Sequence, residues 1–246
     1  MSELDSDITL SRIRPPELPS NFLSRRHLFE LIDDRAPGYT MVVAPAGYGK
    51  TSLIAEWAKQ SKKKVVWYTM SESDSSIGLA SYLISAIRQV FPNFEPDLEA
   101  RTVTEIFQAI ANLKEDIVLV LDNVVDAFTY QLNTTQSYMD AIPDNIHIFA
   151  LRRIMPTVSL KRFSSIGRLS VITAGDLVFS KDEIKLLLQV SGIDADEKKL
   201  DQIVQQTHGW PAAVGIIASG EDNKFDLEVD DTLVKNLVSS KFHKLA

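Results

Sequence analysis

Short continuous apolar segments alternate with longer amphipathic segments along the first 175 residues. An apolar run without alternation predicts a strand that is covered on both faces of its sheet. The segments between the runs are long enough for the crossover helices that parallel pairing requires. We therefore predict an α/β fold with a five-stranded, mainly parallel, doubly wound sheet. The predicted strands are residues 39–44, 65–69, 117–121, 146–150 and 169–172.

The pattern changes after residue 175, where amphipathic segments follow one another with no strand between them. This change predicts an α/β domain over residues 21–175 and a small helical lid subdomain over residues 176–220. Residues 1–20 hold three prolines among polar residues and are expected to form an extended arm. Residues 221–246 are expected to begin a further helical segment or to be a truncation tail.

Composition excludes several classes of protein. The 246 residues carry 26 basic and 33 acidic side chains, and a formal net charge of -7 argues against a broad nucleic-acid surface. Without any cysteine, disulfides, iron–sulfur clusters and thiol catalysis are excluded. The longest aliphatic run, Ile117 to Leu121, is too short to span a bilayer. We expect a cytoplasmic chain that neither enters a membrane nor contacts DNA directly.

The most specific motif lies between the first predicted strand and a helix predicted from Lys50 to Lys59. It follows the P-loop pattern with one departure, since Ala44 stands where the first glycine is expected. Backbone N–H groups of such a loop surround a phosphate at a helix N-terminus, so its glycines must permit close approach. The residues expected to contact the phosphates are Ala46, Gly47, Tyr48, Gly49, Lys50, Thr51 and Ser52.

The three residues that open the helix have separate expected roles. Lys50 would reach the β- and γ-phosphates, Thr51 would offer its hydroxyl to Mg²⁺, and Ser52 would lie near the α-phosphate. The alternative is an ordinary glycine-containing turn with a solvated lysine. That alternative is disfavoured because a cation is unfavourable at a helix N-terminus without an anion to neutralise it.

A second motif is the apolar run from Ile117 that ends in Asp122, as in a Walker B segment. We expect Asp122 at the carboxyl end of a strand neighbouring the loop, where it would hold Mg²⁺ through water. Asn123 follows, at a position where many P-loop ATPases carry a second acid, and an amide cannot accept a proton. We therefore expect nucleotide binding with slow hydrolysis.

Two arginines, Arg152 and Arg153, follow the strand predicted at residues 146–150. An arginine at this place could read a γ-phosphate through its bidentate guanidinium. The alternative is an exposed pair of arginines after an edge strand, and the sequence alone leaves both interpretations open.

The order of these segments resembles the nucleotide-binding module of the STAND class of signal-transduction ATPases. Within that class it is most similar to the MalT-like and large LuxR-type bacterial transcriptional regulators. The resemblance runs from about Pro15 to Ser219. It is carried by residues 22–25, 44–51, 66–68 with Asp74, 121–123, 150–152 with Pro156, 176–180 with Glu183, and 208–212.

What the resemblance implies is ATP or ADP held between the α/β core and the helical lid. It implies further that Phe22, Leu23 and Pro211 lie near the adenine and that Arg25 lies by the nucleotide. For the neighbouring Trp210 we predict a role as a core aromatic rather than a nucleotide contact.

The candidate catalytic residues are Lys50, Asp122 and Arg152, and the resemblance implies that Arg152 is the γ-phosphate sensor. The expected function is a signalling switch that binds ADP in a closed state and Mg-ATP in an open state able to self-associate. Two alternatives stay open: a P-loop enzyme or AAA+-like ATPase subunit, and a scaffold that binds nucleotide without hydrolysing it. Asn123 departs from the acid common in the family, which puts the rate of hydrolysis in question.

Overall fold

The computed structural model describes residues 10–19, 22–33, 38–71, 74, 76–95, 103–124, 142–156 and 167–219. Residues 1–9 and 20 of the predicted arm, and the segment predicted at 221–246, lie outside the described residues.

Five strands form one sheet within the described ranges, and all four pairings in it are parallel. The strand order is β2-β3-β4-β1-β5. The predicted α/β class and five-stranded sheet are confirmed. The strands are β1 (Tyr39–Val43), β2 (Lys64–Thr69), β3 (Ile117–Asp122), β4 (Ile146–Arg152) and β5 (Leu169–Thr173).

The lateral position of β3 differs from the sequence-based expectation. Asp122 ends β3, but β4 lies between β3 and the strand that leads into the P-loop, β1. The expectation of a directly neighbouring strand was therefore wrong, because a crossover can pass over a strand position without any change in the local pattern. Since all of these strands are parallel, β1, β3 and β4 still end at the same edge of the sheet.

Helices connect the strands and extend the chain beyond them. None of the helices in the described part of the chain has the length and apolar character that a bilayer span needs. A 3₁₀ turn at Arg26–Phe29 leads into α1 (Glu30–Asp33), and the other helices are α2 (Lys50–Gln60), α3 (Ser76–Val90), α4 (Val103–Ala111), α5 (Ala174–Leu177), α6 (Lys181–Val190), α7 (Glu197–Thr207) and α8 (Pro211–Ser219).

The sheet is covered on both faces, which explains its continuous apolar strands. Every residue of β3 and β4 is buried. Ile148 belongs to a core cluster that includes Leu83 of α3 and Ile106 of α4. The next residue, Phe149, points to the opposite face, where its ring lies 5.3 Å from that of Trp57 in α2.

By its internal contacts the chain divides into two compact units. The sheet unit comprises the described residues within 1–18, 25–45 and 50–173. The helical unit comprises the described residues within 19–24, 46–49 and 174–246. Its described helices have an apolar cluster of their own, made of Ile184, Leu187, Leu188, Leu200, Ile203, Val214 and Ala218.

Local signals in the helical unit fix where its helices begin and end. Ser180 and Glu183 form a capping box at the start of α6. Asp196 caps α7 by accepting a hydrogen bond from the backbone N–H of Lys199. The C-cap of α7 is His208, in the left-handed conformation.

Candidate functional site

The segment from Ala44 to Ser52 connects β1 to α2 and requires glycine at two of its positions. Gly47 and Gly49 have φ angles of 81° and 75°, in the left-handed region that favours glycine. A Cβ at Gly49 would meet no heavy atom within 4 Å, so the backbone angle alone explains that glycine. The other predicted phosphate contacts in the loop and first turn are half-buried: Ala46, Tyr48 and Ser52.

Lys50 is the first residue of α2, and its ammonium group folds back onto the loop. Nζ donates to the carbonyl oxygen of Ala44 at 2.7 Å and to that of Pro45 at 2.9 Å. Burial lowers the pKa of Lys50; the charge of Asp122 opposes this shift, and the charge of Arg153 adds to it. The lysine is therefore held at the loop by two of its three donors, unlike the solvated lysine of the alternative interpretation.

Thr51 and Asp122 meet at the carboxyl edge of the sheet. Thr51 Oγ1 donates to Asp122 Oδ1 at 3.0 Å, and the backbone N–H of Asn123 donates to the same oxygen at 2.9 Å. Burial raises the pKa of the Asp122 carboxyl, while the hydrogen bonds from Thr51 and Asn123 and the charge of Lys50 oppose the increase. A helix-opening hydroxyl and a buried carboxyl thus face each other beside the loop.

These oxygen donors fit Mg²⁺ only as part of a larger coordination shell. Within the described residues, no three His, Asp or Glu side chains are grouped so that they could hold a metal ion. A cation at Thr51 and Asp122 would complete its shell with water and ligand oxygens. Mg²⁺ usually binds in this way, through one or two carboxylates and phosphate oxygens.

Asn123 has a structural role that the sequence did not reveal. Its φ angle is 57°, and asparagine adopts this left-handed conformation more readily than most residues. Its side-chain Nδ2 donates to the carbonyl oxygen of Met70 at 3.1 Å, just beyond the end of β2. An ionised aspartate could not donate this bond, so the amide suits both the backbone and the neighbouring carbonyl.

Arg152 is the last residue of β4 and Arg153 follows it, and the two arginines lie in different environments. β4 is an interior strand and Arg152 is only 2% exposed, so the alternative of an exposed pair after an edge strand was wrong. Arg152 Nε donates to the carbonyl oxygen of Ile154 at 2.9 Å. Arg153 is exposed, and its charge acts on Lys50. No sequence signal indicates a separate role for Arg153.

The residues assigned through the family resemblance occupy several places. Arg25 is 6% exposed, and its backbone N–H donates to Glu56 Oε2 at 3.3 Å. Phe22 and Leu23 are half-buried, and Leu23 packs against the apolar cluster of the helical unit. Pro211 is the first residue of α8. Their contact with a nucleotide stays a prediction.

Trp210 contacts the loop backbone and is not a fully buried core aromatic. Within the helical unit, its indole N–H donates to the carbonyl oxygen of Ala46 at 3.3 Å. The backbone N–H of Ala212 donates to the carbonyl oxygen of Gly47 at 2.9 Å. Trp210 is half-buried and bonded to the loop, so the prediction of a core aromatic was wrong. The sequence holds no signal for this long-range contact.

A second polar cluster forms at the carboxyl end of β2. Arg12 makes an ion pair with Asp74, and the Tyr68 hydroxyl donates to the same carboxylate. Arg12 also donates to the carbonyl oxygen of Thr69 at 3.0 Å and lies 4.4 Å from the ring centroid of Tyr82. In the sequence, Tyr68 and Asp74 stand out only through the family resemblance, and no signal there indicates Arg12 of the arm as their partner.

Comparison with known proteins identifies relatives that match most of the chain. No family model matches the chain. The HTH-type transcriptional regulator MalT of Klebsiella pneumoniae is 27% identical over 227 aligned residues, which cover 83% of this chain. The chain spans only 24% of the length of that relative. The MalT-like resemblance inferred from the sequence is confirmed.

Solved structures share the fold. A STAND protein with a tetratricopeptide repeat sensor from Pyrococcus horikoshii is similar with a TM-score of 0.59 and 15% identity; the match covers 83% of this chain and 31% of that one. A Walker-type ATPase of Pyrococcus abyssi also has a TM-score of 0.59, with 14% identity over 94% of this chain and 78% of its own. The chain therefore has the fold of the P-loop ATPases.

Proposed function

We propose that this chain, a MalT-like module with the P-loop ATPase fold, is a switch that binds adenine nucleotides. The observation that carries the proposal is the convergence of Lys50 on the loop and of Thr51 on Asp122 at one edge of the sheet. These groups belong to the two motifs singled out from the sequence. Their chemistry, one ammonium group beside one hydroxyl and one carboxylate, suits a phosphate chain with its magnesium ion.

Phosphate binding would replace the present contacts of Lys50. The ammonium group of Lys50 donates to the carbonyl oxygens of Ala44 and Pro45. Burial lowers the pKa of Lys50, so an anion at the loop would stabilise the charged form of the lysine. The backbone N–H groups of Gly47 and Gly49 would add donors.

The metal would bind at Thr51 and Asp122. Bound Mg²⁺ neutralises charge on the β- and γ-phosphates. The protein's contribution is to hold the Asp122 carboxyl near its ligand position, through the Thr51 hydroxyl and the Asn123 backbone N–H. Desolvation of that carboxyl favours binding of a cation, because a cation stabilises its ionised form.

Hydrolysis is expected to be slow. Asn123 stands where many ATPases carry a second acid, and its amide is bound to the carbonyl oxygen of Met70. An amide cannot accept a proton from water. The ATP-bound form would then persist long enough to act as a signal. Its output would be self-association. We attribute no DNA contact to this chain.

A non-hydrolysing scaffold is the second candidate, and the same amide favours it. A scaffold would be stabilised by ATP without converting it to ADP, whereas a switch would change its association state between the two nucleotides. An AAA+-like subunit would instead accelerate hydrolysis when it assembles. Size-exclusion chromatography with ADP and with Mg-ATP, together with phosphate release, separates these three possibilities.

The decisive experiment is direct measurement of nucleotide binding. The purified protein is denatured, any released nucleotide is identified by chromatography, and ADP and Mg-ATP are titrated calorimetrically into nucleotide-free protein. Lys50→Ala should weaken binding by about 10- to 100-fold, since it removes charged hydrogen bonds to phosphate. The matched control is Lys59→Ala, an exposed lysine at the end of the same helix. Equal affinity in the wild type and Lys50→Ala would refute the assignment.

A further inference from the structure

Two consecutive carbonyl groups of the loop are held by one turn of the helical unit. The turn comprises Gly209 to Ala212; it follows α7 and its C-cap, and it includes the first two residues of α8. The indole N–H of Trp210 donates to the carbonyl oxygen of Ala46 at 3.3 Å. The backbone N–H of Ala212 donates to the carbonyl oxygen of Gly47 at 2.9 Å. The turn thus binds the acceptor side of the loop backbone.

Planarity of the peptide bond gives these contacts a consequence on the opposite side of the loop. In a trans peptide the C=O and the following N–H point in opposite directions. Holding the Ala46 carbonyl toward Trp210 therefore directs the Gly47 N–H away from the turn. Holding the Gly47 carbonyl toward Ala212 directs the Tyr48 N–H away in the same manner. Both N–H groups belong to the loop predicted to surround phosphate.

The loop and the turn are also in close steric contact. A Cβ built at Gly47 would lie 2.6 Å from the Cβ of Ala212 and 2.9 Å from Nε1 of Trp210. Real Cβ atoms do not approach this closely, so the packing excludes any larger residue at Gly47. The peptide planes on either side of Gly47 are therefore restrained by contact as well as by hydrogen bonds.

The turn itself is held firmly in place. Gly209 has a φ angle of 72°, and a Cβ there would lie 2.4 Å from the carbonyl oxygen of Phe179. The backbone N–H of Phe179 donates to the carbonyl oxygen of Gly209 at 2.8 Å, and that of Trp210 donates to Thr207 at 2.9 Å. Trp210 is thus presented to the loop by a fixed backbone.

We propose that Trp210 is a positioning residue for phosphate: together with the Ala212 N–H, it orients the Gly47 and Tyr48 N–H groups before any ligand arrives. The proposal rests on the proposed nucleotide-binding function and names a residue that acts on the same site through the loop. Preorganised donors bind an anion more tightly because the loop loses less conformational entropy on binding.

The test compares the same substitution at two tryptophans. Trp210→Phe keeps the apolar ring and removes the indole donor. Trp67→Phe is the matched control, because Trp67 in β2 also donates its indole N–H, at 3.0 Å to Thr69 Oγ1, and has no place in the loop. Calorimetry measures affinity for Mg-ATP, inorganic tripolyphosphate and adenosine, and thermal denaturation checks folding.

Trp210→Phe should bind Mg-ATP and tripolyphosphate about two- to tenfold more weakly, as expected for the loss of one neutral hydrogen bond. Its affinity for adenosine should equal that of the wild type. Trp67→Phe should keep all three affinities. A residue that only supports the fold would not produce this difference between phosphate and nucleoside.

A second measurement uses the wild type without nucleotide. Amide hydrogen exchange should show protection at Ala212, and this protection should fall in Trp210→Phe. Rapid exchange at Ala212 in the wild type would overturn the proposal. So would wild-type affinity for tripolyphosphate in Trp210→Phe, or equal losses in both tryptophan variants. Failure of the wild type to bind any nucleotide or tripolyphosphate would instead overturn the proposed function, and this inference with it.

Discussion

The hydroxyl of Thr51 donates a 3.0 Å hydrogen bond to Oδ1 of Asp122, 71 positions further along the chain. One residue lies in the first turn of α2, and the other ends β3, which is separated from β1 by β4. The carboxyl is 7% exposed, and burial raises its pKa. The charge of Asp122 is therefore held at a cost to folding, which is common among residues of ligand-binding sites.

Asp122→Asn should therefore raise the melting temperature of the nucleotide-free protein at pH 7. The amide oxygen can still accept from Thr51, but there is no charge to desolvate. The pKa of Asp122 in the folded protein lies above its ordinary value of 3.8. The ionised carboxylate therefore lowers the stability of the protein at a pH above both pKa values, and this effect disappears at a pH below both. Thermal denaturation should show the gain at pH 7 and none at about pH 3.

The same variant should lose the dependence of ATP affinity on Mg²⁺. Titrations with Mg-ATP and with ATP in EDTA measure this, and Thr51→Ser, which keeps a hydroxyl, is the control. A lower melting temperature for Asp122→Asn at pH 7 would contradict the assignment of burial as the dominant influence on this carboxyl.

Asn123→Asp should lower stability and raise the rate of ATP hydrolysis together. An aspartate keeps the left-handed backbone but places a carboxylate against the Met70 carbonyl oxygen, which now accepts from the amide. The lost bond should reduce the free energy of unfolding by about 1–3 kcal/mol. Repelled from that carbonyl, the carboxylate becomes available as a base.

Urea unfolding and phosphate release measure the two effects of Asn123→Asp. Asn123→Gly, which tolerates the same backbone angle, separates them, since it should lose stability without gaining activity. Unchanged stability in Asn123→Asp would mean that the amide is not needed by Met70.

How far the sequence predicts this molecule depends on the range of the interaction. The apolar runs that form β3 and β4 can be recognised in the sequence because both faces of these strands are buried. The glycines of the loop can be recognised because they belong to a local motif. The position of β4 between β1 and β3 is set by long-range pairing and leaves no local pattern. The contact of Trp210 with Ala46 joins residues 164 positions apart and was missed for the same reason.

Arg152 and Arg153 should respond differently to the same substitution. Arg153→Gln removes an exposed charge that acts on Lys50, so it should weaken ATP binding by about two- to fivefold, with little change in stability. Arg152→Gln removes a buried guanidinium that donates to Ile154, so it should reduce the free energy of unfolding by about 1.5–3 kcal/mol.

Calorimetric titration at low and high salt and urea unfolding distinguish the two arginines. The effect of Arg153→Gln should shrink at high salt, because exposed charges are screened. Unchanged stability in Arg152→Gln would contradict this prediction. If that variant also bound ATP and ADP equally well, the result would support the γ-phosphate sensor role that the family resemblance implies for Arg152.

Asp74→Asn should destabilise the protein at neutral pH through the contact that anchors the arm. Burial alone would raise the pKa of Asp74, but hydrogen bonds from Tyr68, Arg12 and the Ser71 N–H outweigh it and lower the pKa from 3.8. A lowered carboxyl pKa contributes stability above its ordinary value and loses it as pH falls through the folded value.

The free energy of unfolding of Asp74→Asn should therefore be about 1.5–3 kcal/mol below that of the wild type at pH 7. The difference should narrow as the pH falls below 3.8 and through the lower pKa of the folded Asp74 carboxyl. Asp144→Asn is the matched control, since the Asp144 side chain is 99% exposed and lies 3.5 Å from Arg168. A pH-independent difference would show that charge at Asp74 is not responsible.

Alanine at the two loop glycines should separate backbone strain from packing. Both Gly47 and Gly49 have positive φ angles, so each substitution should cost about 1–2 kcal/mol of backbone energy. Only at Gly47 would the new Cβ also collide with Ala212 and Trp210; at Gly49 it would enter open space. Gly47→Ala should therefore lose about 1–3 kcal/mol more than Gly49→Ala in urea unfolding. Equal losses would mean that the loop does not hold its observed contact with the turn in solution.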